Sequence, residues 1–585
     1  MVTNRNQHSS ETRTKQASNE VHSNLNKIGA FTPYDFSGKN LTPYGGLLPV
    51  ATMLETIGFQ KLVEETVTVE RTTKVMSAYQ FILAIVLGIY VGFVRLNQLR
   101  YIARDPLLAG ILKVARLPPQ CTLWRFLNSL HVGIARQIQS IQRGMREAVW
   151  AAGNITLKSV TIDTDTTVHT LYGKQMGARK SYNPKNRGKK SYQPILSFLA
   201  ETREFIDGEL RNGDRPTGKQ IARHLQEVFQ TLPRCVVSIF ARADSGFYCW
   251  EAVEAYEKFK CRFIVVARKT SRLLDELIAA KWEPSPHTDA DEQCEFWYQP
   301  KGWGKAYRFI ALRSENDPDE EEADDVVQYQ LFATKQYKYR VFISNMDLPI
   351  HELVWFYSQR AGAENLIKES NNDAGLAAHP SHLFVTNQNH FQLAMLAYNL
   401  NAWLMLFNRE TTDTTESLKH TTLATARLRF LFIAAKIWRH SGRTGISFSD
   451  HYEDKGLFRR LMERLRAITI NDLKNRCFRH QIQGLANQRW SKAFSCIIQV
   501  IALADYQPES SFTYQPVEKV RMPIMASRNR YRSQNAGPAG PKAPRLKKSQ
   551  QFGYIQHLFW RKALNTAPYS APAGFAVSLC HTLRA

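Results

Sequence analysis

Three stretches of this chain carry an acidic side chain where an oxygen-ligated cation would need one. The first is Thr161-Ile162-Asp163-Thr164-Asp165-Thr166-Thr167, at the end of an apolar run that reads as a strand. The second is Arg242-Ala243-Asp244-Ser245-Gly246-Phe247, after the strand-like Cys235–Phe240. The third is Tyr357-Ser358-Gln359-Arg360-Ala361-Gly362-Ala363-Glu364-Asn365, in a helical pattern. Carboxylates from two strands and a helix can hold hard divalent cations through oxygen. Two such ions about 3.5–4 Å apart can clamp the attacking and leaving oxygens of a phosphodiester.

Asp163 and Asp165 are two residues apart on a strand, so both side chains face the same way. Like charges so placed are costly without a cation. Asp165 is the favoured ligand and Asp163 the alternative. Both stand as catalytic and metal-ligating candidates, together with Asp244 and Glu364. In the third stretch, Tyr357, Arg360, Glu364 and Lys368 share one face if a single helix runs through them. Arg360 would then hold phosphate with a bidentate fork and Lys368 as a point charge. Read alone, that face is an ordinary exposed surface with an i,i+4 Glu–Lys pair. Between the first two acids lies a Gly-, Tyr- and Lys-rich segment with Arg179, Lys180, Arg187, Lys189 and Lys190. These five join Tyr357, Arg360 and Lys368 as candidate DNA-phosphate contacts.

The elements that must position these groups are legible in outline. Residues 1–44 read as a disordered polar arm and 45–150 as a helical region with a DNA-binding role. There Pro118-Pro119 and a capping Thr122 suggest a helix pair, whether a DNA reader or a plain bundle corner. The apolar run Phe81–Val94 is too short to span a bilayer and reads as a buried helix. Strand–helix alternation over 151–269 argues for an α/β core with parallel pairing. Strands are expected at Thr156–Asp165, Tyr192–Leu199, Cys235–Phe240 and Cys261–Ala267. Residues 270–345 read as an inserted β subdomain, with strands near Arg308–Leu312, Tyr329–Thr334 and Tyr339–Ser344. Its acidic run, Ser314 to Asp325, reads as a solvated loop. The core resumes over 346–415, with a long apolar helix at Phe391–Phe407. A helical C-terminal region at 416–510 and a basic, compositionally disordered tail at 511–585 complete the chain; no acid follows Lys519.

Composition narrows the partners. The 585 residues include 77 Lys and Arg against 52 Asp and Glu, a formal charge of +25. That excess favours a polyanion, because each neutralised phosphate releases counterions. Eight scattered cysteines form no Cys-x-x-Cys pair, which argues against a zinc finger or a thioredoxin site. The polar N-terminus lacks the apolar stretch of a signal peptide.

Taken together, these runs resemble the DDE insertion-sequence transposases, in the branch marked by a Tyr-x2-Arg-x3-Glu-x6-Lys signature. Tyr357, Arg360 and Glu364 fit that spacing; the signature lysine falls on Asn371, with Lys368 as a substitute from the same face. The Asp-x-Asp-x-Thr, Tyr-Gly-x-Gln-x-Gly-Ala, Arg-x-Asp-Ser-Gly-Phe and Glu-Asn-x-Ile-Lys-Glu runs are similar to one lineage of that group. The resemblance covers roughly residues 45–450. It implies an RNase H-like catalytic core with a β insertion before the last acid, and two Mg2+ (or Mn2+) ions. It implies cleavage of double-stranded DNA at terminal inverted repeats, strand transfer into target DNA, and a homodimer in a paired-end complex. It also implies a bacterial cytoplasmic protein, on the nucleoid when bound to DNA, with no membrane role. The rival readings are a catalytically silent transposase-derived DNA-binding protein and an RNase H-like repair nuclease or resolvase.

Overall fold

The computed structural model describes residues 28–69, 75–184, 186–286, 290–315, 337–408 and 421–468. They fall within the first of two compact units, residues 1–505, and the second unit, 506–585, lies outside them. The polar arm before residue 28, most of the acidic run from 316, the strand expected at Tyr329–Thr334 and the basic tail are likewise outside the described residues.

The chain opens with a short strand β1 (Leu41–Thr42), then α1 (Leu47–Ile57), α2 (Phe59–Thr66), α3 (Ala78–Tyr90), a 3-10 turn (Leu96–Ile102), α4 (Pro106–Leu112), α5 (Gln120–Ser129) and α6 (Ile134–Ala152). Ser77 and Gln80 form a reciprocal capping box that starts α3. All residues from Phe81 to Tyr90 are buried, so the apolar run is a core helix as its length implied. No helix among the described residues is long and apolar enough to cross a membrane. Helix α5 begins earlier than Thr122 suggested, with Pro119 at its N-cap. Phe126 stacks on Phe81 at 4.7 Å, while Trp124 stays on the surface.

The strands that follow are β2 (Ser159–Thr166), β3 (His169–Thr170), β4 (Arg179–Lys180), β5 (Lys190–Tyr192), β6 (Ile195–Leu199) and β7 (Phe205–Glu209). Next come α7 (Gly218–Gln230), β8 (Ser238–Ala243), α8 (Trp250–Lys258), β9 (Arg262–Val266), α9 (Ser271–Ala279), β10 (Glu283–Pro284), β11 (Glu292–Tyr298), β12 (Tyr307–Glu315) and β13 (Tyr337–Ser344). The described chain closes with α10 (Ile350–Ser358), α11 (Ala361–Asn372), α12 (Phe384–Phe407), α13 (Leu423–Ala426), β14 (Ala435–His440), β15 (Arg443–Phe448) and α14 (Lys455–Arg466).

The result is a mixed α/β architecture around a nine-stranded sheet ordered β10-β11-β12-β13-β9-β8-β2-β6-β7. β2, β8 and β9 run parallel, β6 is antiparallel to β2, and β7 is antiparallel to β6. Most of their apolar residues are buried, among them Val160, Ile162, Phe198, Ala241, Phe263 and Val265, with α12 packed as a nearly wholly buried rod. Strands β10 to β13 extend the central sheet, because β13 pairs with β9, instead of forming a sheet of their own. The expected strand Tyr192–Leu199 is two strands, because Pro194 supplies no N–H to a ladder and parts β5 from β6. Residues 421–468 are not all helical. Ala435–Phe448 alternates apolar and polar residues at period two and turns at Ser441-Gly442, both at positive φ, so it folds as a hairpin.

Buried Asp207 on β7 offers a direct check of this packing. Its Oδ1 accepts from Gln139 Nε2 and from the Gly208 N–H, both at 2.6 Å. Burial is the main cause that raises its carboxyl from 3.8 to about 7. A raised folded-state pKa contributes stability below the unfolded value that is lost as pH rises through about 7. Asp207→Asn, which cannot ionise, should therefore gain on the wild type between pH 4 and 7 by up to about 4 kcal/mol in urea unfolding. A stability difference flat across that range would place Asp207 in water.

Candidate active site

Strand register explains how the acids meet. In the parallel pair β2–β8, Asp163 lies opposite Arg242 and Thr164 opposite Ala243. One residue further along that register, Asp165 comes beside Asp244. The period of two repeats on both strands, Asp-x-Asp against Arg-x-Asp, so two side-by-side pairs form on one face. The first is an ion pair and the second a pair of carboxylates.

The ion pair is buried and bidentate. Arg242 Nε donates to Asp163 Oδ1 at 2.7 Å and Nη2 to Oδ2 at 2.8 Å. Burial pushes the Asp163 carboxyl up and the guanidinium opposes that shift. Asp163, which its residue type and strand position made a candidate metal ligand, thus has both oxygens committed to Arg242. Its role in this structure is to hold strands and helix together. The third arm of Arg242, Nη1, donates to the Phe356 carbonyl at 2.8 Å, and the guanidinium lies 5.0 Å from the Phe356 ring centre.

That contact bears on a second correction. Tyr357, Arg360 and Glu364 do not share one continuous helix. Helix α10 ends at Ser358, and Arg360 is the N-cap of α11. A continuous helix would give the Phe356 carbonyl to the Arg360 N–H. Here Arg242 takes that carbonyl, and the Arg360 N–H donates instead to Tyr357 O at 2.8 Å. Ser358 Oγ also bonds back to Val354 O at 2.8 Å, a contact that bends helices. Tyr357 is left half-buried against Phe342, with ring centres 4.8 Å apart.

The break turns Arg360 inward. Its guanidinium meets Asp165 Oδ2 at 2.6 Å through Nη2 and Glu364 Oε1 at 3.5 Å through Nη1. Arg360 is 6% exposed, whereas the Glu364 side chain is 68% exposed and accessible to a ligand. The Asp165 carboxyl is pushed up to about 6, by burial first and also by the charges of Asp244 and Glu364, against the pull of Arg360. Asp244 and Glu364 thus both lie within electrostatic reach of Asp165. The Thr166 N–H holds Asp165 Oδ1 at 2.7 Å, and the Gly246 N–H holds Asp244 Oδ1 at 3.0 Å. A Cβ on Gly246 would stand 3.0 Å from that oxygen, so glycine permits the turn.

Among the described residues no group of three or more His, Cys, Asp and Glu is gathered tightly enough to hold an ion as the side chains stand. Arg360 supplies the positive charge that Asp165 and Glu364 require. The donor set fits a hard divalent cation: three carboxylates, Glu364 exposed and Asp165 raised by burial first and then by its acidic neighbours.

Asn371, at the signature lysine position, lies in a buried neutral network. Its Oδ1 accepts from His169 Nε2 at 2.9 Å, and its Nδ2 donates to Thr167 Oγ1 at 3.4 Å. That fixes the proton on His169 Nε2, so Nδ1 accepts from His379 Nε2 at 3.2 Å. Burial lowers His169 to about 4 and His379 to about 2, so both are neutral. The sequence reading missed these histidines because each is far in sequence from the others. Lys368 is exposed on α11 and Glu369 is buried, its Oε1 accepting the Leu423 N–H at 2.7 Å.

The basic segment folds as a small sheet ordered β3-β5-β4. Arg179, Lys180, Arg187, Lys189 and Lys190 are all exposed. The Met176 N–H donates to His382 O at 2.8 Å, tying this sheet to the loop before α12. Arg179 is drawn toward Asp214 at 3.9 Å, a weak surface pair that leaves it accessible.

Residues 32–470 match the family model described as transposase DDE domain group 1. No curated protein matches. Among solved structures, a piggyBac transposase synaptic complex with hairpin DNA aligns at 11% identity and TM-score 0.35, covering 73% of this chain and 85% of that one. A pre-cleavage Mos1 transpososome aligns at 10% identity and TM-score 0.14, over 43% of this chain and 66% of that one. A Mos1 transposase paired-end complex with left transposon end gives 12% and 0.14, over 46% and 79%. TM-scores of this size lie below the level of a shared fold.

Removing one partner of the Asp163–Arg242 pair strands the other charge in the core. Asp163→Ala should cost about 3–5 kcal/mol and lower the melting temperature accordingly. A melting temperature within a degree of wild type would mean that the pair is solvated.

Proposed function

The chain belongs to the group 1 transposase DDE domain family, and from that premise we propose that this DDE-type DNA transposase cuts double-stranded DNA at the terminal inverted repeats of its own element and joins the freed 3′ ends to target DNA. The observation that supports this reading most is the convergence of Asp165 and Glu364 on Arg360, with Asp244 in electrostatic reach. An RNase H-like core is supported by the strand order β7-β6-β2-β8-β9, three antiparallel strands followed by two parallel to β2. In that arrangement the acids come from the central strand, its parallel neighbour and the helix beyond the sheet.

Asp165, Asp244 and Glu364 would hold two Mg2+ (or Mn2+) ions, which would polarise the scissile phosphate and lower the pKa of the attacking hydroxyl. Asp165 is held by a backbone N–H and buried, so it enters the reaction preorganised. Arg360 neutralises the acids at rest and offers its guanidinium to the phosphate when it leaves them. Tyr357 packs beneath that movement. Lys368 and the exposed cations of the β3-β5-β4 sheet would hold the flanking backbone as point charges and forks. Pairing of two ends would require at least a homodimer. The site chemistry calls for access to DNA, consistent with a bacterial cytoplasmic protein working on the nucleoid.

The test is cleavage of a supercoiled plasmid carrying the DNA that flanks this gene. Asp244→Asn and Glu364→Gln should each reduce nicking and joining by at least about 100-fold with Mg2+, on the scale of a lost electrostatic contact to the transition state. Both should bind the ends as the wild type does. Normal cleavage by either variant would overturn the assignment, and equal cutting of branched DNA lacking these ends would indicate a resolvase.

A further inference from the structure

From Arg427 to Ser449 the chain carries five lysines and arginines and no acid. Two of the five are spoken for. Arg427 is buried and donates to the carbonyls of Ile89, Tyr90 and Asp373. Arg429 pairs with Asp454 at 2.7 Å. The other three, Lys436, Arg439 and Arg443, are on the β14–β15 hairpin. They are exposed, and none forms an ion pair with any described residue.

The hairpin sorts its side chains by strand alternation. Ala435, Ile437, Ile446 and Phe448 face inward, where Ile446 and Phe448 join Phe458 and Met462 of α14. Lys436, Trp438 and His440 face outward on β14, with Arg443 opposite His440 across the pair. Arg439 pairs with Thr444 and has the parity of Ile437, so it lies on the opposite face, exposed near the tip. A Cβ on Gly445 would come within 2.0 Å of the Trp438 indole, so the ring lies against the backbone of the neighbouring strand while 43% of it stays exposed. Gly445 thus lets a large flat side chain lie low on the face. The two-residue turn matches the strand twist, so the cations are held on a rigid ribbon.

We propose that the outer face of this hairpin is a second DNA contact, outside the active site, that grips the sugar–phosphate backbone of duplex DNA without regard to sequence. Two uncompensated cations on that face, Lys436 and Arg443, fit neighbouring phosphates, and the low-lying indole between them in the strand register fits against deoxyribose. A single-strand platform would offer successive aromatic rings for base stacking, and this face has one. The inference rests on the transposase reading only in taking DNA as the polyanion.

The test compares the full chain with a charge-removed variant, Lys436→Gln/Arg443→Gln, and a charge-kept variant, Lys436→Arg/Arg443→Lys. Binding is read by fluorescence anisotropy across a salt series on two duplexes, one from the DNA flanking the gene and one unrelated. Each lost phosphate contact should lower the slope of log K against log salt by about 0.9, so the charge-removed variant should lose about 2 in slope, equally on both duplexes. The charge-kept variant should retain the wild-type slope. An unchanged slope, a loss on one duplex only, or the same loss in the charge-kept variant would overturn the proposal. Asp244→Asn serves as the second arm. If it cleaves DNA, the active-site assignment falls while the hairpin result stands; if it is silent with a normal slope, the two functions are separable.

Discussion

The structure turns on one electrostatic problem: acids on neighbouring segments, close enough to repel, need a positive charge among them. Arg360 meets that need in this conformation, touching Asp165 directly and reaching Glu364. It can do so only because the helix is interrupted before it. The interruption in turn follows the diversion of the Phe356 carbonyl to Arg242. A chain of specific contacts therefore links a buried ion pair on two strands to the placement of an exposed carboxylate on α11.

The two arginines play different parts. Arg242 makes three contacts, two to Asp163 and one to the Phe356 carbonyl, and its partner Asp163 cannot leave without stranding a buried charge. Arg360 is held by acids whose own preference is for a multivalent cation. One guanidinium is scaffold; the other can exchange for metal and turn to substrate. The His169–His379–Asn371 network, which begins on β3, is neutral, so the cations of the basic sheet are the exposed ones, where phosphate can be reached.

Much of this was legible in the sequence. The three acidic segments, the strand before each Asp and the buried apolar helix at 81–90 follow from periodicity and residue type. Asp163 was not separable from Asp165 on a single strand, since both face the same way. The distinction comes from the neighbouring strand, where Arg242 stands two residues before Asp244 in the same phase. Reading the two motifs as a register-matched pair would have assigned Asp163 to Arg242. The break between α10 and α11 was invisible because helical spacing cannot show that a side chain 114 residues away takes a carbonyl. The β14–β15 hairpin was hidden by its setting in an arginine-rich stretch that also favours helix; its period-two alternation and Ser-Gly turn were the signals. The continuity of the inserted strands with the central sheet depends on the β13–β9 pairing alone, which no local pattern encodes.

The most direct test of the central claim is to ask where a redox-active divalent ion sits. Fe2+ with ascorbate and peroxide generates hydroxyl radicals that cut the polypeptide next to the ion, and mass spectrometry maps the cuts. Cuts are expected in all three segments, around residues 165, 244 and 364, suppressed together by excess Mg2+. Cuts at only one of them, or clustered elsewhere in the chain, would contradict a shared metal site.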